Sequence, residues 1–132
     1  MDNQQYSKEL VDEMRQFDKL KELEGYYNNK LIILQQYYND KKSAFPNGVE
    51  FYNDKYNREF AELEARYFAS VAKFKELEDY YNNKLNILQE YFDNKRATFP
   101  TKIESYNNKY EKEYKELADQ YNEDYKKFKG QY

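Results

Sequence analysis

The chain of 132 residues contains no histidine, no cysteine and no tryptophan, and only three glycines and two prolines. Each absence removes a class of chemistry. Without cysteine there is no disulfide scaffold, no thiolate nucleophile and no cysteine-based zinc site. Without histidine the commonest general base and the commonest transition-metal ligand are gone. Charge of one sign is lacking too: 22 basic residues face 25 acidic ones, a net charge of −3. A nucleic-acid-binding surface needs a basic excess or stripe. The basic clusters here, Lys41-Lys42, Lys95-Arg96 and Lys126 to Lys129, are short and flanked by acidic or polar residues. The longest aliphatic run, Leu31 to Leu34, is far below the ~20 residues that cross a bilayer. The first ten residues have neither the basic start nor the apolar stretch of a signal peptide. The expectation is a cytoplasmic or nuclear protein, or a component of a viral or other particle. Neither direct nucleic-acid binding nor membrane insertion is expected.

What the chain does have is an internal duplication. Offset by 54 residues, 26 of the 47 positions from Lys21 to Tyr67 are identical. Residues 21–31 return as residues 75–85 with one change, Gly25 to Asp79, and Phe45-Pro46 returns as Phe99-Pro100. Two copies are too few for a solenoid. The expected organisation is an N-terminal helical extension (1–19), a first hairpin repeat (20–73) and a second (74–132), the two repeats sharing a central helix.

Apolar residues recur at steps of three and four, the period of an amphipathic helix. Leu10, Met14, Phe17, Leu20, Leu23 and Tyr27 carry the pattern into the first repeat, and Tyr121, Tyr125 and Phe128 end it. The residues singled out as the core and interaction stripe are Leu31, Leu34, Tyr38, Leu63, Tyr67, Phe74, Leu77, Tyr81, Leu85, Leu88, Phe92, Tyr110, Tyr114, Leu117 and Tyr121. In the last segment the steps run 3-4-4-3-4-4-3, an 11-residue repeat averaging about 3.67 residues per turn, which favours nearly straight packing.

Pro46 and Pro100 stop the helices, and each pushes the preceding phenylalanine toward extended geometry. Thr101 with Glu104 reads as a capping box opening the last helix, and Asn47 to Glu50 holds the same place in the first copy. Turns this short make antiparallel hairpins. No proline or glycine occurs between Val49 and Thr98, so the plain reading is one helix of about fifty residues and about 75 Å. The alternative breaks it near Ala69 to Ala72, where the pattern slips, and gives a compact four-helix bundle. Either way the fold class is all-α: long-helix antiparallel hairpins in a coiled-coil-type bundle, with helices near 3–43, 48–98 and 102–129.

Tyrosine, 17 residues of it, invites a reading as stacking platforms for bases, sugars or proline-rich peptides. Its helical spacing assigns it instead to half-buried positions with the ring covered and the hydroxyl wet. The tetrads starting at Tyr27, Tyr38, Tyr81 and Phe92, each an aromatic, two Asn or Asp and a Lys, read as an inward ring with an outward polar face. Carboxylate pairs such as Glu22/Glu24, Glu62/Glu64 and Glu123/Asp124 lie beside cations on helix surfaces, with no glycine-rich loop and no convergent third ligand. No catalytic residue, cofactor or metal site is therefore expected.

Glu62 to Phe68, followed by Leu77-Glu78 and Phe92 to Arg96, resembles the long dimerisation helix of the nucleosome assembly protein family. The resemblance covers about a quarter of the chain. It implies a self-pairing helix, and for the family an α/β domain and acidic tracts that hold histones. This chain instead returns into another copy of its own helix. Two functions follow as expectations. The first is a homodimeric structural or adaptor component that binds protein partners. The alternative is a histone chaperone, which gathers acidic surface where basic partners dock. Lys and Glu alternate along these helices without a block of five acids, favouring the first.

Overall fold

A computed structural model describes the backbone of residues 3–131 and the side chains of residues 15–131. It contains three long helices, α1 (Asn3–Ala44), α2 (Val49–Thr98) and α3 (Ile103–Lys129), and no strand among the described residues. The fold is all-α, with boundaries within one residue of those read from the hydrophobic pattern. The side chains of Leu10 and Met14, at the start of the expected stripe, lie outside the described residues. Among the described residues no helix is long and apolar enough to cross a membrane.

α2 runs through Ala69 to Ala72 without the break that the alternative reading placed there. A slipped apolar pattern changes which face is buried but not the backbone ladder, and alanine is the strongest helix former. Neither a proline nor a glycine occurs there to interrupt it.

The chain divides into two compact units, Met1–Ala72 and Lys73–Tyr132. Each contains one Phe-Pro turn, and the two turns are built alike. Phe45 has φ −128° and ψ 75°, and Phe99 has φ −125° and ψ 73°. The Phe45 N–H donates to the Lys41 carbonyl and the Phe99 N–H to the Lys95 carbonyl, both at 2.9 Å. A single 3₁₀ turn follows, Pro46–Gly48 in one unit and Pro100–Lys102 in the other. Its proline sits at the helix N-terminus, where a missing N–H is harmless.

This geometry corrects the expected capping box. Neither 3₁₀ turn nor α3 has a side-chain cap. The helical turn already begins at the proline, so Thr101 lies inside it, two residues past the capping position at Phe99. The phenylalanine carbonyls take over, accepting from the Gly48 N–H at 2.9 Å and the Lys102 N–H at 3.0 Å. Each phenylalanine ring then leans on the tyrosine seven residues on, with ring centroids 6.2 Å apart in both Phe45–Tyr52 and Phe99–Tyr106.

Beyond each turn the helices meet in reverse order. In the first unit Lys42 Nζ donates to Asn53 at 3.0 Å, Tyr38 packs on Tyr52 and Tyr56, and farther out Tyr27 stacks on Tyr67 at 4.5 Å. In the second, Arg96 donates to Asn107 at 2.8 Å, Phe92 packs on Tyr106 and Tyr110, and Tyr81 meets Tyr121 at 5.3 Å. Each of these second-unit contacts is a first-unit contact moved 54 residues along the chain.

Gly25 lies in the interior of α1, and a Cβ built there has nothing within 4 Å. Gly25→Ala should therefore raise stability by about 0.5–1 kcal/mol through helix propensity alone. Chemical denaturation checks it; an unchanged or lower midpoint would show that Gly25 serves a contact.

Candidate protein-interaction surface

The tetrads place their first ring inward, as the pattern implied: Tyr38, Tyr81 and Phe92 are buried and Tyr27 is half-buried. The residue before each tetrad was not picked out from sequence, and it carries the outer surface. Tyr26, Tyr37, Tyr80 and Tyr91 are all exposed. Over each ring sits the tetrad's lysine: Lys30 at 4.6 Å, Lys41 at 5.5 Å, Lys84 at 4.4 Å and Lys95 at 5.5 Å from the centroid. The sequence signal was an aromatic four residues before a lysine, the spacing at which helix side chains meet. Each cation–π contact at such an exposed site contributes about 0.5–1 kcal/mol. Doubling the aromatic gives every tetrad one ring for the core and one for the outside, set edge-on at 5.0 Å and 87° in Tyr37–Tyr38, Tyr80–Tyr81 and Tyr91–Phe92.

The expected stripe is brought together, but incompletely covered. Tyr38, Phe74, Tyr81 and Phe92 are buried. Leu31, Leu34, Leu63, Tyr67, Leu77, Leu85, Leu88, Tyr110, Leu117 and Tyr121 are half-buried, and Tyr114 is exposed. Leu23 and Phe128, on the periodic pattern but not singled out, are buried as well. A pair of helices covers only the line where they approach, and residues to either side of it stay wet.

The hydroxyls of inward tyrosines find carboxylates. Tyr81 donates to Asp124, and Tyr121 to Glu78. A hydrogen bond to the Glu59 carboxylate, with burial, pushes the Tyr38 phenol up to about 12. Tyr81 is raised further by burial and then by its bond to Asp124. Tyr27 is raised by burial and by the nearby Glu64 charge. A raised phenol pKa means that the folded state favours the neutral ring. That stability is present below the ordinary value of 10 and, for Tyr38, is lost as pH rises from 10 through about 12. In an alkaline titration a fraction of the tyrosinate absorbance should thus appear late, together with loss of helix by circular dichroism. Complete ionisation at the ordinary phenol value with the helices intact would contradict this.

Open grooves flank the inward row. In the second unit one of about 460 Å³ lies between α2 and α3, lined by Lys84, Ile87, Leu88, Tyr91, Glu113 and Leu117. Another of about 500 Å³ is lined by Lys73, Glu76, Leu77, Tyr80, Asp124, Lys127, Phe128 and Gln131. A groove of about 250 Å³ in the first unit is lined by Gln35, Tyr38, Asn39, Lys42 and Tyr56. Among the described residues no group of three or more Asp or Glu is placed to hold a metal ion. No protein-family model, curated protein or solved structure matches the chain.

Proposed function

We propose that this protein is a non-enzymatic, self-associating helical protein that acts as a structural or adaptor component of a larger assembly in the cytoplasm or nucleus. The row of outward tyrosines and isoleucines carries the reading. Ile33 is 66% exposed and Ile87 68%, each within a line of aromatic rings. Apolar surface of this kind gains about 25 cal/mol per Å² when a protein partner removes it from water, and contiguous exposure of it marks an interaction site. A chain with neither histidine nor cysteine brings little to catalysis and much to packing. Its mixed charges suit a protein surface better than a polyanion or a strongly basic partner.

Two differently tagged copies, co-expressed and captured through one tag, test the reading. The second copy should follow the first and remain bound in high salt, since apolar contact is not screened as charge is. Failure of self-capture, with histones as the dominant and salt-sensitive partner, would overturn it in favour of a chaperone.

A further inference from the structure

The two hairpins have diverged unevenly. α2 contributes eight side chains to the two second-unit grooves. Every one has the identical residue 54 positions earlier on α1, among them Tyr26 for Tyr80, Lys30 for Lys84, Ile33 for Ile87 and Tyr37 for Tyr91. On the facing helix Glu113, Leu117, Lys127 and Phe128 repeat Glu59, Leu63, Lys73 and Phe74, while Asp124 and Gln131 stand where the first copy has Ser70 and Leu77. The groove on the other side of the first hairpin is different. Of its five lining residues, Tyr38, Asn39 and Lys42 have become Phe92, Asp93 and Arg96 in the second copy. One face of the hairpin is therefore largely kept in duplicate, 12 of its 14 lining residues, while the opposite face has drifted. The kept face is largely exposed, so packing within the hairpin does not explain it.

Charge indicates what covers this face. The second-unit rim carries three cations, Lys73, Lys84 and Lys127, and three anions, Glu76, Glu113 and Asp124. Both signs occur at each end: Lys84 with Glu113 in one groove, and Lys127 with Asp124 in the other. A polyanion would meet three carboxylates and a basic partner three lysines. The same face turned end for end meets opposite charges along its length, as an isologous contact requires. We propose that this face is the docking site for a second copy of the chain, hairpin against hairpin, so that two pairs of helices close over the exposed Ile33 and Ile87 rows. The proposal rests on the self-association reading and names the surface that performs it.

The test uses Ile33→Asp combined with Ile87→Asp, both exposed positions where a carboxylate can stay hydrated in the separate chain. Sedimentation should show self-association weakened about 100-fold or more, with the circular dichroism of the helices retained. Phe68→Asp is the control. It replaces another exposed ring, 60% accessible, about 140° round α2 from Leu63, and should associate like the native chain. A second readout does not depend on how the aspartates are tolerated. Because the native chain has no cysteine, chains carrying only Ile33→Cys or only Ile87→Cys can form disulfides only between copies. Oxidised together they should give covalent dimers, and Phe68→Cys should not. A native chain that is monomeric throughout would sink the self-association reading itself. A native dimer that survives the double aspartate change, or that cross-links through residue 68 and not through 33 or 87, would overturn this face alone.

Discussion

Phe92→Ala should lower the stability of the second unit by about 3–5 kcal/mol, the cost of deleting a buried aromatic ring and leaving its space unfilled. Phe92 is 2% exposed and packs on Tyr106 at 6.3 Å and Tyr110 at 5.9 Å. A two-helix hairpin has few such residues, so each carries a large share of what holds the helices together. Leu31→Asp and Leu85→Asp should cost less, about 1–3 kcal/mol. Both leucines are half-buried, and a carboxylate there can turn toward water. Lys84→Ala should cost under about 1 kcal/mol, the worth of its contact with Tyr80 at an exposed site. Denaturant midpoints give the ranking. A loss at Phe92 no larger than that at Leu85 would mean that the ring is not in the core.

Removing either hydroxyl of the paired tyrosines, by Tyr81→Phe or Tyr121→Phe, should cost about 1–2 kcal/mol. Bonds to charged acceptors stabilise by about 1.5–3 kcal/mol, and partial exposure of the carboxylates reduces that. Their partners explain a difference between the two copies. Tyr27 and Tyr67 stack at 29°, whereas Tyr81 and Tyr121, the same pair 54 residues on, meet edge-on at 81°. The first copy has Ser70 where the second has Asp124, and a serine is too short to hold the distal phenol. With Asp124 accepting from Tyr81 and Glu78 from Tyr121, the rings are drawn to opposite carboxylates and turn. Asp124→Ser should return the pair toward the stacked arrangement, visible as a change in ring chemical shifts. No movement there would leave the 81° angle without this cause.

Most of the fold was legible because its punctuation is unambiguous. Two Phe-Pro pairs and an otherwise proline-free chain place both helix breaks, and the steps of three and four mark the inward face. Thr101 carries the capping-box pattern without capping, because that pattern is local and the proline one position earlier already starts the turn. The outer surface was harder to see. Tyr26 and Tyr27 are chemically the same residue, and only the direction of each side chain from the helix separates a core ring from one lying under Lys30. Tyr114 and the leucines of the stripe are less buried than their period alone predicts, for a related reason. Period identifies a face, but how much of it is covered depends on how many helices surround it.

Sedimentation equilibrium of the native chain over a wide concentration range shows whether these duplicated helical surfaces bind a second copy. Self-association should give a species of twice 16.3 kDa that dissociates on dilution with a single binding constant. A mass of 16.3 kDa at every concentration would contradict it.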